Sequence, residues 1–195
     1  MSADPASTTA AALDLTRRGL AVFALPPGGR RPDAGGWSSR CWTDPGEVQR
    51  LWCEGDNIGV GCRASHLVGL DLDVDGAGQD VLAALAACLG EPWPDTLTVA
   101  TPSQGAHLYF RAPPGCSIAS VSGGRTALGP GVDVRGPGLG SGGYLIGPGS
   151  VVDGIRYVIE RDLPVQPLPH WITDRLGRGT GSGSGKRALN LREAH

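Results

Sequence analysis

The sequence predicts an α+β domain built on a mixed or largely antiparallel sheet with flanking helices. Three observations point there. Helical and extended patterns alternate in the first half of the chain, whereas extended patterns dominate the second half. The 195 residues include 32 glycines and 16 prolines, a turn-rich composition that suits short strands better than a helical bundle. Apolar residues make up 40% of the chain, enough to fill one core at this length.

Each element has its own signal. Residues 1–8 are small and polar and read as a flexible tail. Residues 10–18 read as a helix, with Thr8 or Thr9 as N-cap and Gly19 as the stop. A strand is expected at 20–25, then a long Gly/Pro/Arg loop over 26–42. Asp44, Pro45 and Glu47 supply an N-cap acid, a proline at the first helical position and a glutamate at the third, so a helix should run to about Cys53. Short strands are expected at 58–61 and 67–73, and an alanine-rich helix at 79–89 ended by Gly90. Further strands are expected at 96–100, 107–111, 132–135, 144–146 and 155–159. The domain is expected to span 9–172. Residues 173–195 read as a Gly/Ser-rich flexible tail, because alternate glycines from Gly177 to Gly185 leave too little apolar surface to offset ordering entropy.

Charge and cysteine usage narrow the function classes. Lys+Arg number 17 and Asp+Glu 19, a formal charge of -2 that counts against tight nonspecific DNA binding. Lys186 is the single lysine, so phosphate contacts would fall to arginine forks. The most basic window carries Arg17, Arg18, Arg30, Arg31, Arg40 and Arg50 against Asp33, Asp44 and Glu47. Five widely spaced cysteines without a C-x-x-C indicate neither a zinc ribbon nor a disulfide framework. They read as reduced thiols. With no signal-like or membrane-length apolar segment, a cytoplasmic location and no membrane partner are expected.

Three stretches carry chemistry. In the first, Asp71 and Asp73 follow the apolar run 67–70; two residues apart on a strand, they share a face and can grip hard cations together. The second, Thr101, Pro102, Ser103, Gln104, Gly105, Ala106, His107, sets a histidine at the head of an apolar strand after a glycine turn. The third, Val132, Asp133, Val134, Arg135, places an acid between valines, where it needs a partner or a metal. Alone, the acid pair also suits a solvated strand end, and His107 a structural role. Together, three acids and a histidine are the inventory of a metal-dependent phosphoryl- or nucleotidyl-transfer site.

Other apparent motifs fail. The acids at 71, 73 and 75 with Gly76 open like a calcium loop, but Leu82 stands where a bidentate glutamate is required. They also resemble a phosphatase nucleophile motif, but Asp75 stands where Thr or Val is expected. Residues 138–143 match G-x-G-x-x-G but lead into a strand, so no helix N-terminus awaits a pyrophosphate. Gly185 and Lys186 lack the spacing and the preceding strand of a P-loop.

In order and spacing, the three stretches resemble the N-terminal primase–polymerase domain of bifunctional DNA primase/polymerases, within the archaeo-eukaryotic primase superfamily. The resemblance covers 9–172. Arg31 and Pro32 stand where that family usually has Lys-Pro, and Trp37 follows as expected. Asn57, Ile58, Gly59 and Val60 resemble the approach to its first motif, and Gly142, Gly143, Tyr144 and 148–150 the continuation of its third. The resemblance implies a primase–polymerase-like fold and template-directed nucleotidyl transfer, as primase, polymerase or both. It implies that Asp71, Asp73 and Asp133 hold two divalent ions, Mg²⁺ or Mn²⁺, and that His107 contacts the triphosphate of the incoming nucleotide. Ser103, Gly105 and Arg135 are further expected phosphate ligands; Arg31 is expected to contact nucleotide or template, or to be a solvated loop arginine. Implied partners are nucleoside triphosphates, single-stranded or primed DNA template and a helicase-like partner. Two other classes stay open: a catalytically inactive nucleotide- or DNA-binding module of the same fold, and a different D-x-D transferase in which the histidine and third acid have no obvious place.

Overall fold

A computed structural model describes residues 7–75, 77–123 and 126–178. The chain opens with α1 (Thr8–Arg17), then β1 (Val22–Leu25). A loop with a 3₁₀ turn at Trp37–Ser39 leads to α2 (Pro45–Leu51). Next come β2 (Asn57–Gly61), β3 (Leu67–Leu72), α3 (Gly78–Leu89), β4 (Leu97–Ala100) and β5 (Ala106–Arg111). The second half is strands: β6 (Val132–Arg135), β7 (Tyr144–Ile146), β8 (Val151–Val152), β9 (Ile155–Arg156), β10 (Val158–Arg161) and β11 (Gln166–Pro167). The last described element is α4 (His170–Arg178).

The larger sheet runs β10-β4-β5-β3-β6, with β11 added in parallel beside the end of β5. Its other pairings are antiparallel, so the sheet is mixed, as the sequence predicts. A three-stranded sheet, β1-β2-β7, and a small β8-β9 ribbon complete the fold. The period-2 alternation of the central strands divides the core. Val68, Leu70 and Leu72 of β3, with Ala106, Leu108 and Phe110 of β5, face α3 and α4, where they meet Leu82, Leu168 and Ile172. Leu67, Tyr109, Leu97 and Val99 face the other way, into a cluster with Phe23, Val60, Leu145 and residues of α1 and α2. The first-motif strand therefore lies at the centre of the large sheet, between β5 and β6.

The boundaries differ from expectation for identifiable reasons. Helix α1 starts at Thr8, two residues early, because Ser7 is the cap: its Oγ accepts from Ala10 N at 3.1 Å. Thr8 and Thr9 are not caps. Their amides donate to Glu54 at 2.9 and 3.2 Å, and Thr9 Oγ1 donates to the same carboxylate at 2.6 Å. Asp44 caps α2 as read, its Oδ1 accepting from Gly46 N. The strand expected at 155–159 is two, β9 and β10, and β8 and β11 were not expected at all. Structure also continues past 172: α4 starts from Pro169, whose carbonyl accepts from the amides of Ile172 and Thr173, and it buries Ile172 completely. Of the expected tails, 1–6 and 179–195 lie outside the described residues. All five cysteines are free thiols, Cys62 buried and Cys53 and Cys88 exposed. No described helix is long and apolar enough to cross a membrane.

Two predictions follow from these contacts. The hydrogen bond from Thr9 and the amides of Thr8 and Thr9 outweigh desolvation and bring the Glu54 carboxyl from its ordinary 4.5 down to about 2. A carboxyl held lower in the folded state than in the unfolded one stabilises above the unfolded value, and loses that effect as pH falls through the folded one. The stability gap between wild type and Glu54→Ala should thus be full above pH 4.5, shrink toward pH 2 and vanish below it; a pH-independent gap in denaturant titrations would contradict the linkage. A Cβ on Gly78 would fall inside the van der Waals envelope of the Gly131 carbonyl, where α3 meets the start of β6. Gly78→Ala should cost about 1–3 kcal/mol, the usual range for overpacking. An unchanged denaturation midpoint would show that the helix can back away freely.

Candidate active site

The register of the large sheet assembles the site. On β3, Asp71 lies directly opposite His107 of β5 on one side and Asp133 of β6 on the other. Residues directly opposite across a ladder share a face, so His107, Asp71 and Asp133 form one row across three strands. The row continues the face that carries Leu67 and Tyr109, at the point where the core between the two sheets opens to solvent. Asp73 lies just past the last residue of β3, where its amide donates to Gly131 O at 2.8 Å.

Each member of the row is held. His107 is 4% exposed; its Nδ1 lies 3.2 Å from Ile146 O and its Nε2 3.3 Å from Asp71 Oδ1. Both neighbours are acceptors, so both bonds form together only when both ring nitrogens carry hydrogen. Tyr109 Oη donates to the same Ile146 carbonyl at 3.2 Å, tying β7 to β5. Asp133 is 7% exposed and accepts from Gly123 N at 2.9 Å. Arg135 stands between the two acids: Nη2 is 3.2 Å from Asp71 Oδ2 and 3.3 Å from Asp133 Oδ2, while Nη1 donates to Ser122 Oγ.

The electrostatics follow from that packing. Burial pushes the Asp71 carboxyl up, but His107, by hydrogen bond and charge, and the Arg135 guanidinium together bring it below its ordinary value. Asp73 goes the other way. Desolvation and then repulsion from Asp71 and Asp133 raise it, with Arg135 only partly compensating. The site is thus a concentration of negative charge that attracts cations.

The row opens on a cleft of about 460 Å³. Asp71, Asp73, His107, Arg135 and Ser103 line one part of it, and Arg31 faces it from the Gly/Pro/Arg loop. Asp133 sits behind this lining. Gly105 is not part of the lining either; a side chain there would strike the carbonyl of Leu72, so its glycine lets the 101–105 turn close against the end of β3. Within that turn, Thr101 Oγ1 accepts from Gly105 N at 3.1 Å and lies 3.1 Å from Ser103 Oγ.

Several cleft residues were not among the expected ligands. Arg30, Thr101, Ser120, Tyr144 and Tyr157 line the cleft as well. Tyr144 Oη donates to Arg30 O at 3.0 Å, which fastens the arginine loop to β7. Trp37 stacks on Phe23 with ring centroids 4.7 Å apart and meets Tyr144 edge-on at 5.0 Å. Tyr157 lies 5.6 Å from the His107 ring. The adjacency of Arg30 to Arg31 was a usable signal; nothing near Tyr157 in the sequence marked it.

The donor chemistry suits a hard divalent cation: carboxylate oxygens, a strained charge balance and a cationic group already bridging two of the three acids. As they stand, no group of three or more His, Cys, Asp or Glu side chains among the described residues can hold a metal ion. Arg135 lies between two of the acids, and Asp73 is exposed at the strand end.

No curated protein matches the chain. The family profile described as "Bifunctional DNA primase/polymerase, N-terminal" (Prim-Pol) matches residues 12–171. That span holds both sheets, the His107–Asp71–Asp133 row and most of the described core, and the chain therefore belongs to the Prim-Pol family.

Proposed function

We propose that this domain catalyses metal-dependent, template-directed nucleotidyl transfer, adding nucleotides to a DNA primer or to an initiating nucleotide. The observation that carries the reading is the in-register row of His107, Asp71 and Asp133, which opens through Asp71 and His107 on a cleft that Arg30 and Arg31 also line. Asp71, Asp73 and Asp133 are the residues that would hold Mg²⁺ or Mn²⁺. Once bound, such ions would favour attack by a hydroxyl and neutralise charge on the α-phosphate and the leaving pyrophosphate.

The chain's own groups do the rest. Arg31, with Arg30 beside it, offers a planar fork to phosphate oxygens in the cleft, although Arg30 is already paired with Asp153 at 3.2 Å. His107 is fixed by Ile146 O through Nδ1, and its Nε2, now beside Asp71, would serve a triphosphate oxygen once Asp71 is engaged by a cation. Ser103, held beside Thr101, adds a hydroxyl donor at the turn. Trp37 and Tyr144 supply an aromatic wall on which a base can rest, next to the arginines that would take its phosphates. A template strand and nucleoside triphosphates are accordingly the proposed partners.

The direct test incubates purified protein with labelled nucleotides and Mg²⁺ or Mn²⁺ on primed and unprimed single-stranded DNA. Asp71→Asn and Asp133→Asn keep side-chain size but remove charge, and each should lower incorporation by at least about 10²-fold, because several kcal/mol of transition-state stabilisation are lost. His107→Gln should chiefly weaken nucleotide binding, by about tenfold or more, the equivalent of one charge-assisted hydrogen bond. Incorporation that survives both Asp substitutions would remove the site assignment; normal nucleotide binding without incorporation by the wild type would favour a binding module instead.

Asp73 separates function from stability. Although Asp73 is exposed, partial desolvation and repulsion from Asp71 and Asp133 raise its carboxyl in the folded protein, so its ionised form is disfavoured there. Above the ordinary carboxylate range that ionisation opposes folding. Asp73→Asn should therefore raise the melting temperature near neutral pH, in the absence of divalent ions, while lowering incorporation. A lower melting temperature would show that Asp73 has a structural partner.

A further inference from the structure

We infer that Arg135 is a resident counter-ion that competes with the divalent cation for Asp71 and Asp133, so that the cation can engage both acids only as the guanidinium leaves them. The inference rests on the proposed role of the acids. It adds a positioning residue that governs cation entry.

The geometry is specific. Arg135 stands two residues after Asp133 on β6, on the same face, and its partner across β3 is Gly69, over which Leu145 of β7 packs. The guanidinium reaches past this pair to both Asp71 and Asp133. One nitrogen, Nη2, lies 3.2 Å from Asp71 Oδ2 and 3.3 Å from Asp133 Oδ2, and the other, Nη1, is anchored on Ser122. A cation bridging the same two acids would come to the place where this nitrogen now sits. A guanidinium has no lone pair to offer a metal. The two occupants are thus mutually exclusive at those oxygens.

Energetics give the contact a purpose. The side chains of Asp71 and Asp133 are only 21% and 9% exposed and stand directly opposite each other. Like charges so placed on neighbouring strands repel, and a partly buried acid without a partner is costly. Arg135 offsets both penalties from its place between the two carboxylates. The arriving cation meets ligands already in place, but it must displace a charge to reach them.

The test reads Mn²⁺ binding to the full chain, by electron paramagnetic resonance of free Mn²⁺, for wild type, Arg135→Gln, Arg135→Lys and Asp71→Asn. Removing a unit charge from beside the acids should tighten Mn²⁺ binding by about tenfold or more in Arg135→Gln. The lysine variant keeps the charge but loses the planar fork, and should bind with intermediate affinity. Asp71→Asn should bind much more weakly than wild type. Without added Mn²⁺, Arg135→Gln should melt lower than wild type, and saturating Mn²⁺ should raise its melting temperature by more than it raises that of wild type. Equal or weaker Mn²⁺ binding by Arg135→Gln, or, if that variant does not fold, by Arg135→Lys, would overturn the inference while leaving the metal site intact. Absence of Mn²⁺ binding by wild type and both Arg135 variants would overturn the metal site and the inference together.

Discussion

The structure depends on one register, that of β3 against β5 and β6. Leu70 and Leu72 must face α3 for the lower core to close, and the same alternation turns Asp71 toward the other face, where the pairings with His107 and Asp133 complete the row. A slip of one residue would exchange the faces, placing Asp71 among Leu82, Leu108 and Val134 and turning leucines into the cleft. Burial of a carboxylate without a partner is costly enough to make that alternative uncompetitive. Hydrophobic packing and site assembly are therefore one event here.

The location of the row explains how such polar groups can be so little exposed and still accessible. The face that carries Asp71 is covered along much of its length by the three-stranded sheet, with Leu145 lying directly over Gly69. Any side chain at 69 would lift β7 away. Cover ends near Ile146, whose carbonyl takes hydrogen bonds from His107 and Tyr109, so the last polar group of the roof orients the first polar group of the cleft. The arginine loop is then held at the cleft's edge by Tyr144 and by the stack of Trp37 on Phe23. A small set of contacts between the two sheets thus sets the spacing between acids and arginines.

Much of this was legible in the sequence because the relevant signals are local. Period-2 apolar patterns located β3, β5, β6 and β7, and the D-x-D, the histidine after a glycine turn and the valine-flanked acid each marked a strand position. What stayed hidden depends on distant partners. Thr8 and Thr9 look like caps, but their amides are taken by Glu54, which lies 46 residues from Thr8. Helix α4 sets Ile172 and Leu176 four residues apart on one face, a local helical signal outweighed by the glycine-rich composition from Gly177 onward; Ile172 fills a space under the large sheet. The short strands β8 and β11 are defined by pairing alone. Arg135 was expected to be a phosphate ligand; the structure shows it bridging two acids, a cross-strand relation that linear spacing does not contain.

Near-neutral overall charge is compatible with an anionic ligand once charge is considered by place rather than by sum. Arg30, Arg31 and Arg135 meet Asp71 and Asp73 in the cleft lining, with Asp133 directly behind. These six charges cancel, so the cleft by itself has no surplus with which to hold a triphosphate. On the proposed reading, added divalent charge on the acid side would free Arg135 from its carboxylate partners for an anionic ligand, while Arg30 keeps its pairing with Asp153. The same step that neutralises the acids would then turn the cleft cationic. Such a cleft attracts nucleotide strongly only in the presence of divalent ions, and stays indifferent to polyanions in their absence, in keeping with a surface that carries no general basic excess. The near-absence of lysine leaves these roles to arginine, whose planar fork suits bidentate contact with a phosphate.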